Sequence, residues 1–110
     1  MLVITFNVNG IRARIHQLET LIQKYNPDVL CLQEIKVSDE DFPYEDIENL
    51  GYKIFNYGQK GFHGVAILSK VEPVSVKKGL DGGLDEEQKR YIQCDFNSKI
   101  GVISICNSYF

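Results

Sequence analysis

Pro27-Asp28-Val29-Leu30-Cys31-Leu32-Gln33-Glu34-Ile35-Lys36 constrains this chain more than any other stretch. Four apolar residues, Val29 to Leu32, run without alternation, and the chain then turns abruptly polar at Gln33 and Glu34. So short an apolar run, closed by polar side chains, reads as a strand buried on both faces. Glu34 then stands at the carboxyl end of a central strand, where open α/β sheets place their ligand sites.

The segments on either side fit that strand into a crossover unit. Leu2 to Phe6 is rich in β-branched and aromatic residues and predicts a first strand ending at Asn7. Asn7-Val8-Asn9-Gly10 is a turn signal, with Asn9 as the expected cap of a helix beginning at Ile11. Ile15, Leu18, Leu21, Ile22 and Tyr25 recur at the three-and-four spacing of an amphipathic helix, which Pro27 stops. Strand, helix, strand implies a right-handed crossover into a parallel pair. Parallel neighbours lie about 4.8 Å apart, so Asn7 and Glu34 should face one crevice.

Farther on, the acidic segment Ser38 to Phe42 leads into a short helix from Pro43 to Leu50, with Gly51 just past its end. Strands are expected at Tyr52 to Tyr57, at the wholly apolar Val65 to Leu68, and at Val71 to Lys78, where Pro73 marks an edge or a bulge. Gly79 to Gln88 reads as a flexible acidic surface loop, and Arg90 to Phe96 and Gly101 to Cys106 as the last two strands. Two helices cannot cover six or so strands that want burial on both faces. One sheet face is therefore expected to be bare, as in half of a larger sandwich or a domain that hides the face in a partner, for instance by self-association.

At 110 residues the chain is the size of one domain, 1–110, and its balance of 44% hydrophobic and 25% charged residues is that of a globular protein. No apolar run is long enough to span a bilayer, no signal peptide is expected, and Cys31, Cys94 and Cys106 form no paired spacing. Buried, reduced thiols in a cytoplasmic protein are the expectation. A net charge of −3 confines nucleic-acid binding to local basic patches. Neither a zinc pattern, a phosphate loop nor a glycine-flanked nucleophilic serine occurs. What remains is Glu34 with Asn7 and Asn9, flanked by Lys36. Hard oxygen donors of that kind suit Mg²⁺, which binds through one or two carboxylates together with substrate phosphate oxygens. On the residues alone, Glu34 reads as such a ligand or as an ordinary solvated strand end.

Four motifs in order resemble the exonuclease III / apurinic-apyrimidinic endonuclease family of the endonuclease/exonuclease/phosphatase superfamily. They are Phe6-Asn7-Val8-Asn9-Gly10-Ile11-Arg12-Ala13, Leu32-Gln33-Glu34-Ile35-Lys36, Gly64-Val65-Ala66-Ile67-Leu68-Ser69 and Asn107-Ser108-Tyr109-Phe110. The resemblance implies an α/β fold, the amino-terminal half of a four-layered α/β sandwich, with a mixed sheet carrying helices on one face. It implies Glu34 as the Mg²⁺ ligand (Mn²⁺ as a substitute), Asn7 as the active-site asparagine, Tyr109 as donor to the scissile phosphate, Lys36 as support for the acidic site and Arg90 as a DNA contact. Asn9 departs from relatives with aspartate there.

The implied substrate is double-stranded DNA with abasic sites or 3′-blocked ends, cut 5′ of the abasic site or trimmed 3′ to 5′. The family's water-activating aspartate and its aspartate-histidine pair have no counterpart here, so the chain is expected to be an amino-terminal fragment, inactive alone. Set against these readings, Asn7 serves equally as a turn former, Tyr109 as a core aromatic, and Arg90 and Lys36 as solvated charges. A non-catalytic half-domain that self-assembles, or a phosphatase branch acting on lipid head groups, are the alternative functions.

Overall fold

The computed structural model describes residues 1–79 and 89–109. Along the chain run Val3–Asn7 (β1), Ile15–Tyr25 (α1), Val29–Gln33 (β2), a 3-10 turn at Asp39–Asp41, Tyr44–Glu48 (α2), Lys53–Tyr57 (β3), Val65–Ser69 (β4), Ser75–Lys78 (β5), Tyr91–Ser98 (β6) and Gly101–Ser108 (β7). They form a four-stranded sheet of order β1-β2-β4-β3 and a three-stranded sheet of order β5-β6-β7. The crossover through α1 makes β1 and β2 parallel, with Asn7 opposite Gln33. β4 runs antiparallel to both β2 and β3, so the sheet is mixed as expected.

The continuous apolar run of β2 is explained by two cores, one on each face. Leu30 and Leu32 join Leu18 and Ile22 of α1, Ile47 of α2, and Ala66 and Leu68 of β4. Val29 and Cys31 join Val65 and Ile67 of β4, and Ile92, Cys94 and Phe96 of β6. Because side chains alternate along a strand, neither set can be polar. Each fully buried aliphatic side chain contributes about 1.5–3 kcal/mol. Burial also pushes the Cys31 thiol up to about 11 and that of Cys94 to about 12, which leaves both as packing groups, not nucleophiles.

Three expectations need correction. The face that two helices leave bare on the first sheet is filled by the second sheet, whose inward residues Ile92, Cys94 and Phe96 complete that core. Outward from β6 point Tyr91, Gln93 and Asp95, linked by a Tyr91 hydroxyl donating to Gln93 Oε1 (2.6 Å) and Gln93 Nε2 donating to Asp95 Oδ1 (2.9 Å). Among the described residues, the first sheet thus has no bare apolar face of the kind that favoured self-association. Exposed apolar side chains are scattered instead, with Val3 on β1, Val102 on β7, and Phe62 and Ile100 between strands.

The first helix begins at Ile15, not Ile11, and Arg14 occupies its N-cap without a side-chain capping bond. Asn9 caps nothing. The preceding residues continue alongside the chain that follows β2, with Val8 N donating to Gln33 O (3.0 Å), Gly10 N to Glu34 O (2.8 Å) and Ile11 N to Ile35 O (3.0 Å). The other end of the helix is as read: Asn26 takes a left-handed φ of 45°, its N–H bonding Ile22 O, and Pro27 follows.

The strand expected from Val71 starts at Ser75, because Val71 is held in a local turn by Ser69 Oγ and Pro73 cannot join a ladder. The acidic loop expected at Gly79 to Gln88 lies, from Leu80 on, outside the described residues, as does Phe110. Among the described residues, no helix is long and apolar enough to cross a membrane.

Candidate active site

The joint end of β1 and β2 presents Asn7 and Gln33 side by side, and the chain beyond Gln33 is bent sharply. Glu34 and Lys36 have φ values of 53° and 58°, in the left-handed region that side chains disfavour. Each such residue costs about 1–3 kcal/mol and persists only where its surroundings over-determine it. Here they do. Ile35 between them is wholly buried, and its N–H donates to Gly64 O (3.2 Å). Lys36 N donates to His63 O (3.0 Å) and its carbonyl accepts from Gly61 N (3.1 Å). Gly64, at φ 83°, brings its backbone so close that a Cβ would stand 2.8 Å from Ile35 Cγ1. The glycine-punctuated loop before β4 therefore props the turn that carries Glu34.

The Tyr109 phenol and the Asn7 side-chain amide lie beside the Glu34 carboxylate and stabilise its charge, and Lys36 Nζ lies 3.7 Å from its Oε2. These contacts, Tyr109 first, hold its carboxyl below the usual carboxylate range, and the same contact with Glu34 raises the Tyr109 phenol above its ordinary value. Asn7 is oriented by the Asn9 N–H, which donates to Asn7 Oδ1 (3.1 Å) and leaves the Asn7 NH₂ for the carboxylate. Lys36 Nζ also donates to Asn9 Oδ1 (2.6 Å), so Asn9 fixes the ammonium and is not itself turned to Glu34. Arg90 sits behind Tyr109: its guanidinium lies 5.1 Å from the ring centroid, and it donates to Tyr109 O (3.3 Å) while Tyr109 N donates to Arg90 O (2.9 Å).

All six sequence-singled residues, Asn7, Asn9, Glu34, Lys36, Arg90 and Tyr109, are thus brought to one place. Three more belong with them. His63 packs its ring 5.7 Å from that of Tyr109. Half-buried Gln33 and buried Asn107 form an amide pair beneath the site, with Gln33 Nε2 donating to Asn107 Oδ1 at 2.7 Å. The signal for Asn107 was a polar residue at an inward position of an alternating strand, Ile103, Ile105, Asn107. The cations at the site are Lys36 beside the carboxylate and Arg90 behind Tyr109, while the Lys89 ammonium lies 4.3 Å from the Tyr57 ring centroid.

Among the described residues no three His, Cys, Asp or Glu side chains cluster as a closed metal cage. A single ionised carboxylate, partly open to solvent, with an amide and a phenol beside it, is instead the sparse oxygen set that suits Mg²⁺, which keeps waters and takes the rest of its shell from substrate phosphate. The donor chemistry fits the ion.

Residues 4–106 match the model of the Endonuclease/Exonuclease/phosphatase family. The chain is 53% identical over 107 residues to exodeoxyribonuclease III of Haemophilus influenzae, covering 97% of this chain and 40% of that protein. It superposes on an AP endonuclease from Archaeoglobus fulgidus with a TM-score of 0.87 at 39% identity, over 99% of this chain and 41% of the other. The Neisseria 3′ phosphatase NExo (D146N), solved with a product DNA hairpin, gives 0.86 at 34% identity over 96% and 40%. The chain therefore spans about 40% of the length of the relatives it matches. A parallel strand pair ending in a buttressed Glu34, read with these likenesses, makes the chain a member of the Endonuclease/Exonuclease/phosphatase family.

Proposed function

We propose that this chain supplies the carboxylate-bearing half of a DNA-repair phosphodiesterase. The complete protein would cut 5′ of abasic sites and trim 3′ ends, including 3′-blocked ones. The observation that carries this reading is the convergence of Tyr109, Asn7 and Lys36 on Glu34 at the shared end of β1 and β2. Relatives named as exodeoxyribonuclease and as DNA-(apurinic or apyrimidinic site) endonuclease support DNA as the substrate, as does the neighbour bound to a DNA hairpin.

Glu34 would hold Mg²⁺, or Mn²⁺ in its stead, and the bound ion would supply Lewis-acid stabilisation of charge on a phosphoryl oxygen. Everything else falls to the chain. Tyr109 and Asn7 direct their donors at the Glu34 carboxylate, and each would turn from it to donate to a phosphoryl oxygen bound beside it. Tyr109 first, then Asn7, with Lys36 adding to them, keep the carboxylate ionised, and the tether of Lys36 to Asn9 holds its ammonium to one side. Arg90 braces the Tyr109 ring and, with Lys36, gives an acidic protein local positive charge for the DNA backbone. The water-activating aspartate and the aspartate-histidine pair implied by the resemblance have no counterpart in these 110 residues, so alone they bind and do not turn over. Three unpaired thiols support a reducing, cytoplasmic setting.

Calorimetry with Mg²⁺ on the wild-type chain and on Glu34→Gln tests the reading. Binding that vanishes in the variant, with the fold intact, supports it; equal affinity overturns the ligand assignment. Nicking of an abasic-site duplex by the 110 residues, abolished by EDTA, would overturn the claim of inactivity.

A further inference from the structure

Asn107 has no part in the chemistry above, yet it is 2% exposed, on the inward face of β7 among apolar neighbours. A buried amide left unpaired there would cost about 1–3 kcal/mol. It is paired throughout. Asn107 Nδ2 donates to Leu32 O of β2 (2.9 Å) and Ala66 O of β4 (2.8 Å), and Oδ1 accepts from Gln33 Nε2 (2.7 Å). Gln33 Nε2 also reaches Thr5 Oγ1 of β1 (2.9 Å) and Cys31 O (3.2 Å). One side chain of the second sheet is thereby tied to three strands of the first.

The position of this tie matters because Gln33 directly precedes Glu34, and Asn107 stands two residues before Tyr109. The apolar core between the sheets opposes their separation, but apolar contact is non-directional and sets register less sharply than directional bonds do. Amide hydrogen bonds are directional and lapse within a few tenths of an ångström of misplacement. A misplacement of about 1 Å at reacting groups can cost on the order of 10²-fold in rate. We infer that the Asn107–Gln33 amide pair is a positioning device: it fixes β7 along β2 and so sets the reach from the Tyr109 hydroxyl to the Glu34 carboxylate.

The device rests on the reading that Glu34 and Tyr109 share one site, but it is tested without activity or metal. In NMR spectra of the 110-residue chain, the Tyr109 ring should show a cross-peak to the Glu34 side-chain methylenes. Asn107→Ala and Gln33→Met should each lose it while the inter-sheet cross-peaks of Ile67 and Ile92 stay in place. Ile105→Val, which loosens the same interface without touching an amide, should keep it. Survival of the cross-peak in both amide variants overturns the device, and so does equal loss in Ile105→Val, since packing alone would then set the distance. If Asn107→Ala does not fold, Asn107→Leu decides, because it removes all three amide bonds while keeping the side-chain volume. A wild-type chain lacking the cross-peak overturns the shared site itself, an outcome distinct from failure in the variants.

Discussion

β2 and the three residues after it are built on opposite principles. Val29 to Leu32 are buried, regular and held by apolar packing on both faces, so the side chains can change shape at a cost but the strand stays where it is. Glu34 to Lys36 alternate between left-handed backbone and a buried isoleucine, and they are held by hydrogen bonds to the loop before β4 and to the turn after β1. The first region decides whether the chain folds. The second decides where one carboxylate points. Damage to the two should therefore separate into loss of stability and loss of site geometry.

The largest effect is expected in the regular region. Leu30→Ala empties a wholly buried position facing α1 and should destabilise by about 2–5 kcal/mol, read from the denaturant midpoint. Under conditions where the variant remains folded, the Tyr109–Glu34 contact should be unchanged. Gly64→Ala tests the irregular region. The variant must hold alanine at a φ of 83° with its Cβ 2.8 Å from Ile35 Cγ1 and 3.1 Å from Gln59 N. A loss of about 1–3 kcal/mol is expected from the backbone alone. It should come with a displaced Glu34, seen as a changed carboxyl titration. A Gly64→Ala chain that keeps both stability and titration would mean that the prop is not needed.

The same division explains what the amino-acid sequence disclosed. The continuous run at Val29 to Leu32, the period of α1 and the stop at Asn26-Pro27 are repeating or local signals, and the parallel β1–β2 pair follows from them. That pairing alone put Asn7 beside Glu34. The identity of the cover on the second face was not legible, since nothing local in Ile92-Gln93-Cys94 states which sheet it packs against; only non-local contact answers that. Asn9 misled for a related reason. Its residue type favours a cap, but the Lys36 ammonium, 27 residues away in sequence, claims its side-chain oxygen. Tyr109 and Arg90 were placed by resemblance, and their mutual stacking came only with the fold.

A smaller effect sharpens the comparison at the site. Tyr109→Phe removes the first cause of the lowered Glu34 pKa, so the carboxyl should titrate closer to its ordinary 4.5, followed by carbon NMR. The sign is fixed by linkage. A folded value below the unfolded one contributes stability that is fully present above the unfolded value and is lost as pH falls through the folded one. The stability gap between wild type and Tyr109→Phe should therefore be widest above pH 4.5 and close below the lowered pKa of Glu34. A gap that stays constant across that window would mean the phenol contributes by packing alone.

The smallest effect is expected where a lowered carboxylate has no site to serve. Asp95, on the outward face of β6, is also held below its ordinary 3.8, by Ser104 first, then Gln93 and Ser75. Its partners lie on regular, directly opposed strands, with Ser104 and Ser75 both in register with Asp95. Ser104→Ala should let Asp95 titrate nearer 3.8 and leave the Glu34 titration untouched, because Asp95 lies on the outward face of β6 while Glu34 takes its contacts from Tyr109, Asn7 and Lys36. Both carboxylates carry a depressed pKa, but only Glu34 sits on strained backbone that the surrounding loops are built to hold. If Ser104→Ala also moved the Glu34 titration, the second sheet would be transmitting strain to the site as a rigid plate, and the separation between regular framework and bent turn would be lost.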